Sequence, residues 1–330
     1  MSSPSQAIVA NELKVIAVLA LLLLACEIGL RIGADSLSKD VAHLHHFADA
    51  SQKLATASPG PNVQKVLFLG NSTTRFGVDG DEFVSVLHKR TDVPVVWEKV
   101  NPDNTALAEW YYLYKNFFHS SEVRPDVVVL GFEAMHLRDS PSDHPSRLAQ
   151  FYCNSNDWPE LTRFDLPSFE SRMSFLASEN SALWAHRDRV ERRVLDSVIP
   201  QYRQTAQLMN YSQKMPASTT THPTYARLES LLQLIRQDNV RIVLAAMPLA
   251  EEYRIDEGLT DIARRYKVPI VDCQHIEGIT PDMFPDGVHM TATASKLYSS
   301  HLANTLLSRH VIEPTGSGHQ IVARPDHSQP

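Results

Sequence analysis

Cysteine is scarce in this chain, three in 330 residues, and there is neither a long basic run nor a basic stripe interleaved with aromatic residues. The net charge of −7 arises from 38 acidic and 31 basic residues spread along the sequence, so nucleic acid is not expected as a partner. Internal repeats are absent, and an apolar content of 43% excludes collagen-like, coiled-coil and wholly disordered chains. The length allows one large domain or two small ones.

What is present begins near the N-terminus. "VIAVLALLLLACEIGLRIG" is uninterrupted apolar sequence from Val15 to Ala25, with Glu27 and Arg31 only towards its far end. A spanning helix needs about 20 mostly apolar residues, so this one depends on its flanks snorkelling. A signal-anchor over 1–33 is the first reading. A lipoprotein signal ending Leu23-Leu24-Ala25-Cys26 is the second, and an ordinary buried helix the third. A single apolar segment ahead of a large polar domain usually exports that domain, to the periplasm or the cell surface. There Cys153 and Cys273 either pair or stay buried thiols, and their spacing leaves both open.

Residues 34–60 read as a juxtamembrane amphipathic helix and linker. Leu37, Val41, Leu44 and Phe47 recur at helical spacing, and Ser58 to Asn62 breaks the chain. The run His43 to His46 has no further ligands at metal-binding spacing, so a solvated or headgroup-facing cluster is expected.

From residue 61 to about 310 strands and helices alternate. "KVLFLG", "VPVVWEKV", "PDVVVLGF", "VRIVLAAMP" and "KVPIVDC" read as five buried strands, and helices fall between them. The pattern predicts an α/β fold with a doubly wound, mainly parallel five-stranded sheet, flavodoxin-like in three layers, with sites at the C-terminal ends of the strands. It lapses over about 138–219, which reads as an insertion after the third strand, and residues 311–330 read as a disordered tail.

The chemistry centres on "VLFLGNSTTRFGVDG", Val66 to Gly80. A phosphate-binding P-loop needs Gly-Lys-Ser/Thr, whereas Val78 and Asp79 follow Gly77. A nucleophile elbow needs glycine two places after the serine, where Thr74 stands. Ser72 ends the first strand, and a serine hydroxyl needs a base held by an acid. "DMFPDGVHM" supplies both in Asp286 and His289, set in a Pro-Asp-Gly turn before the last helix. Arg75 lies one helical turn from Ser72, suited either to an anionic substrate group or to a surface or capping role. Met247 and Pro248 end the fourth strand as pocket wall or core, and Asp272 ends the fifth, where it could be mistaken for a triad acid.

Gly70-Asn71-Ser72 after the first strand and Asp286-Gly287-Val288-His289 before the final helix resemble the two signature blocks of the SGNH, or GDSL-type, hydrolase superfamily. The resemblance covers roughly Val66 to Leu307. "LGNSTTRFGVD" together with the anchor's "CEIGLR" looks most like its membrane-anchored, exported branch, associated with acylation of cell-surface polysaccharides. It implies a Ser72–His289–Asp286 mechanism through an acyl-enzyme, hydrolysing or transferring the acyl group of a polysaccharide or small ester. No cofactor or metal is implied, and a membrane acyl-donor protein is a possible partner. It also implies three oxyanion donors. One is the Ser72 amide, and a second falls on "NPDNTA", where the Asn104 amide or side chain stands. The third falls on "GFEAMH", with Glu133 in place of asparagine, so a protonated Glu133 or His136 would serve, or the hole is incomplete. A weakened SGNH-like fold that binds glycans or assists assembly is the alternative, and a non-hydrolase α/β protein with a coincidental serine and Asp-x-x-His is a third.

Overall fold

A computed structural model describes residues 4–37, 41, 44, 47–56, 63–119, 121, 124–133, 135–142, 144–199, 201–202 and 224–312. Its centre is a five-stranded sheet formed by β1 (Gln64–Leu69), β2 (Val95–Val100), β3 (Val127–Phe132), β4 (Arg241–Ala246) and β5 (Ile270–Asp272). The strands run in the order β2-β1-β3-β4-β5 and every pairing is parallel. All of β3 is buried, which explains why "VVVLGF" is a continuous apolar run: in a parallel sheet covered on both faces each side chain meets a packed layer.

Helices flank the sheet. These are α1 (Pro4–Leu37), α2 (Phe47–Thr56), α3 (Ser72–Gly77), α4 (Gly80–His88), α5 (Leu107–Leu113), α6 (Trp158–Phe164), α7 (Phe169–Asn180), α8 (Ala182–Val198), α9 (Ala226–Gln237), α10 (Glu257–Tyr266) and α11 (Ala292–Ser308). One face of the sheet packs against α2, α5, α9 and α10 through residues such as Phe47, Trp110, Leu231 and Leu259. The other packs against α4 and α11 through Phe83, Tyr298, Leu302 and Leu306. The doubly wound, three-layer arrangement expected of the sequence is therefore the one the chain adopts.

Several local features differ from the expected ones. Val41, Leu44, Phe47, Ala50 and Leu54 are all buried, and the last four lie in the core cluster on one face of the sheet. The stretch expected to be juxtamembrane is thus a structural helix of the domain. Leu107, Trp110, Tyr111, Tyr114 and Phe118 form a buried apolar stripe, and after α5 the helix widens into a π-helical segment, Tyr114–His119. Val311 and Ile312, assigned to the tail, are buried in the second cluster. Most of the histidine run, the linker from Ser58 to Asn62 and residues 313–330 lie outside the described residues.

Between β3 and β4 the described residues hold no strand. Here Pro145–Arg147 and the π-helical Leu148–Tyr152 lead into α6, α7 and α8. A buried polar network joins this insertion to α5: Asp165 accepts from Tyr112 Oη at 2.8 Å and from Arg227 Nη1 at 2.9 Å, and Ser142 Oγ donates to Glu109. Such a network fixes one packing, because each buried polar group has a single set of partners.

The three cysteines are free thiols. Cys153 packs against the cluster on one face of the sheet and Cys273 within the cluster on the other, so the sheet separates them and the possible pairing is not formed. Near the N-terminus, Glu12–Ala34 of α1 is 23 residues long with mean hydropathy 2.5, long and apolar enough to cross a membrane.

Candidate active site

Strand order reverses at β1, which has β2 on one side and β3 on the other. In open parallel sheets ligands bind in the crevice at such a point, beyond the carboxyl ends of the strands. Gly70-Asn71-Ser72 leaves β1 there and Glu133 leaves β3 beside it. The close approach needs glycine: a Cβ on Gly70 or on Gly131 would meet Thr74 Oγ1 at 2.2 Å.

Ser72 opens α3, and Asn71 is its N-cap, accepting from the Thr73 N–H at 2.9 Å. Among the described residues no acceptor engages the Ser72 N–H, which projects from the first turn as a free donor. Under α3 the Lys99 ammonium donates to the carbonyls of Val78 at 2.8 Å and Arg75 at 3.3 Å, anchoring the helix from below.

His289 is brought to Ser72 from 217 residues away, with Nε2 at 2.9 Å from Ser72 Oγ. Its Nδ1 lies 2.6 Å from Asp286 Oδ2, while Asp286 Oδ1 accepts the backbone N–H groups of Val288 at 3.0 Å and His289 at 2.8 Å. Gly287, at φ 80, gives the left-handed step that folds the carboxylate and the imidazole onto one side. Burial acts to raise the Asp286 pKa, but the hydrogen bonds from His289 and Val288 prevail and bring it down to about 2. An ionised Asp286 makes Nδ1 the donor, so Nε2 is free to accept the Ser72 proton. Phe76 stands edge-on to the imidazole with ring centroids 4.9 Å apart, a neighbour that the sequence did not single out.

Glu133 is buried and faces the Gly-Asn-Ser turn from below. Its Oε1 accepts from Asn71 Nδ2 at 3.0 Å, its Oε2 from Thr73 Oγ1 at 2.8 Å, and His136 Nδ1 lies 3.2 Å from Oε1. Burial acts to raise its pKa, yet the His136 charge and these hydrogen bonds hold it below the ordinary carboxylate value. In His136 burial acts downward and is outweighed by Glu133 and Glu109, so its pKa is raised. The carboxylate is therefore an ionised acceptor, which removes a protonated Glu133 as an oxyanion donor. The same pairing favours the protonated form of His136 beside it.

The loop after β2 is held from two sides. Arg75 forms an ion pair with Asp103 at 2.6 Å, so its charge is engaged within the protein. From the insertion, Arg147 Nη1 donates to the carbonyls of Asp103 at 2.9 Å and Asn104 at 3.3 Å. Asn104 has φ 51, a left-handed conformation that favours glycine and that asparagine tolerates best among the others. Its Nδ2 is 2.7 Å from His144 Nε2, which engages one of the two side-chain N–H groups and leaves the other, together with the backbone amide, as a donor that could serve. His144 and Arg147 were not legible as site residues, since both lie in the insertion and reach the loop only through the fold.

Met247 is fully buried between Gly77 and Gly131, Pro248 is buried, and Asp272 is exposed and accepts from the Gln274 backbone and side-chain N–H groups. Among the described residues no group of three or more His, Cys, Asp and Glu side chains could hold a metal ion.

No family model and no curated protein matches the chain. Solved structures of similar fold include Axe2, an acetylxylan esterase from Geobacillus stearothermophilus, 13% identical with a TM-score of 0.38 over 72% of this chain and 92% of that one. A lipase/acylhydrolase from Enterococcus faecalis is 11% identical, with a TM-score of 0.38 over 74% of this chain and 96% of that one. LAE5, an alpha/beta hydrolase enzyme from the metagenome of Lake Arreo, Spain, is 13% identical, with a TM-score of 0.38 over 73% and 94%. These likenesses concern the fold alone. The chain's own strand order, its Gly-Asn-Ser turn and its Asp-x-x-His turn agree with the SGNH/GDSL-type resemblance.

Proposed function

We propose that this protein is a membrane-tethered serine esterase or O-acyltransferase. Its substrate is an acyl ester, of which acetyl is the simplest, on a cell-surface or exported polysaccharide. The observation that carries this reading is the hydrogen-bonded chain from Asp286 through His289 to Ser72. In the proposed reaction His289 Nε2 takes the Ser72 proton as Oγ attacks the ester carbonyl, and Asp286 stabilises the imidazolium. The Ser72 and Asn104 amides bind the oxyanion, with His136 as a further donor. The imidazolium then protonates the departing alcohol. Water or a sugar hydroxyl, deprotonated by His289, attacks the acyl-enzyme and restores Ser72. Hydrolysis and transfer differ only in that second acceptor. The polysaccharide and the extracytoplasmic placement follow from the branch that "LGNSTTRFGVD" and "CEIGLR" resemble and from the single apolar segment ahead of a polar domain.

A fluorophosphonate probe applied to the full chain in detergent tests the reading. Labelling at Ser72, abolished by Ser72→Ala, is the expected result, and a folded wild-type protein that stays unlabelled overturns it. Glu133 as an ionised acceptor in place of a donor asparagine favours one second reading, a weakened fold that binds glycan or assists a membrane acyl-donor protein. Under that reading glycan binding survives Ser72→Ala and the wild type turns over no ester.

A further inference from the structure

Several large apolar side chains of the insertion are exposed. On α7, Phe169, Met173 and Leu176 are 78%, 48% and 38% exposed, and their i, i+4, i+7 spacing puts them on one face. Trp184, in the first turn of α8, is 45% exposed and lies under the Arg187 guanidinium at 4.6 Å from its ring centre. Single exposed hydrophobes are commonplace, whereas three on one helix face with a fourth on the next helix suit a surface that contacts an apolar phase.

The attachment of α1 indicates what covers it. Glu27 is the first charged residue after the apolar run, and it caps α8: its carboxylate accepts from Ser181 Oγ at 2.9 Å, Ala182 N at 2.8 Å and Leu183 N at 2.9 Å. Arg31 Nη2 donates to the Asn180 carbonyl at 3.0 Å, closing the end of α7. Further along, Arg193 Nη1 donates to the Ser36 carbonyl at 2.9 Å. Residues 27 and 36 of one helix thus meet residues 181–183 and 193 of the other, so α1 and α8 run side by side in the same direction. The α7–α8 junction sits at the level where α1 leaves its apolar run, and Trp184 with its arginine stands at the same level. Tryptophan and arginine are the side chains that settle at a membrane–water boundary.

We propose that the α7–α8 surface is a second membrane contact, resting on the bilayer with Phe169, Met173, Leu176 and Trp184 entering the boundary between headgroups and acyl chains. The proposal rests on α1 being a membrane anchor. Glu170 and Glu179 are also exposed on α7, so the attraction is apolar and zwitterionic lipid suffices. The domain is then not on a flexible tether, because α1 and the insertion hold it at a set angle to the membrane.

Nitroxide labels on the full chain in phosphatidylcholine nanodiscs test this, in a Cys26→Ser background and using Phe169→Cys, Met173→Cys and Trp184→Cys singly. Leu21→Cys reports the anchor and Asp261→Cys the solvent. The expected result is a ratio of oxygen to nickel-chelate accessibility several-fold higher at 169, 173 and 184 than at 261. If those labels are as chelate-accessible as 261 while the label at 21 is lipid-shielded, the anchor stands and the proposal fails. A label at 21 that is itself chelate-accessible overturns both. Labels at 169, 173 and 184 shielded from oxygen and chelate alike show protein on the surface, a second copy of the chain, and overturn the lipid contact.

Discussion

Glu133, at the end of β3, accepts the hydroxyl of Thr73 at 2.8 Å, one residue beyond Ser72. The position where the resemblance implies an oxyanion donor is occupied by an acceptor that holds the serine turn from beneath. Its partner His136, with Asn71 and Thr73, favours the ionised form of the carboxylate at this buried site. The two residues therefore work as a unit, with Glu133 fixing Asn71 and Thr73 and each favouring the charged form of the other.

That unit makes a prediction about pH. The Glu133 pKa is depressed, so its contribution to stability is present above the ordinary 4.5 and is lost as pH falls through the lower folded value. The His136 pKa is raised, so its contribution is complete below 6.5 and is lost as pH rises through the higher folded value. Denaturant unfolding of the wild type should show a plateau of stability between these limits. Glu133→Gln should lose about 3 kcal/mol on the plateau and flatten it, towards the low end for a broken buried pair because the His136 side chain is 35% exposed. A variant that keeps the wild-type pH profile would show the pair to be inert.

Asp286→Asn tests the orienting role of the carboxylate. Asparagine keeps the size but can present its amide N–H to Nδ1, which favours the wrong imidazole tautomer; in a triad this lowers kcat roughly ten-thousand-fold. In the wild type the carboxyl is held at about 2, so its ionised form is present throughout the range above its ordinary 3.8. The kcat/KM profile of the wild type should accordingly have no step near 3.8. Such a step, or an Asn variant within tenfold of wild type, would remove Asp286 from the mechanism.

Asn104 separates a backbone donor from a side-chain donor. Its left-handed φ of 51 costs an alanine about 1–2 kcal/mol and a glycine almost nothing. Asn104→Gly should therefore keep turnover within a few-fold of wild type, while Asn104→Ala should lose roughly five- to thirty-fold if the strain is relieved by moving the amide. Loss of about a hundred-fold in the glycine variant would instead make the side chain the donor. Arg147→Met should resemble the alanine variant in kcat, because it releases the Asp103 and Asn104 carbonyls that orient this loop.

Much of this was legible in the sequence, and the reasons are local. Strands such as Val127–Phe132 announce themselves because a parallel strand is apolar on both faces, and Asp286 and His289 are close because a Pro-Asp-Gly turn brings i and i+3 together. Asn71 before Ser72 is a cap whatever the fold around it. What was not legible depends on long-range packing. Phe47 and Leu54 look amphipathic whether they face a membrane or a sheet, and only the folded chain places them in the core. Arg147 and His144 sit in a stretch with no strand–helix rhythm, and nothing in the residues around them states that they reach Asn104. Glu133 could be read as a misplaced donor until its three partners were in place.

The thiols give the last prediction. Burial raises the pKa of Cys153, and that of Cys273 reaches about 12, so neither forms an appreciable thiolate near neutral pH. Because they pack against opposite faces of the sheet, pairing them would require the chain to pass through β1 to β5. Reducing agent should leave the thermal midpoint of the native protein unchanged, and alkylation of Cys153 and Cys273 should become rapid only under denaturing conditions. A native disulfide of ordinary strength contributes about 2–4 kcal/mol, so its loss on reduction would lower the midpoint by several degrees. A drop of that size would mean that the two cysteines meet, and hence that the insertion is wired to β5 differently from the arrangement that places Arg147 on the Asn104 loop.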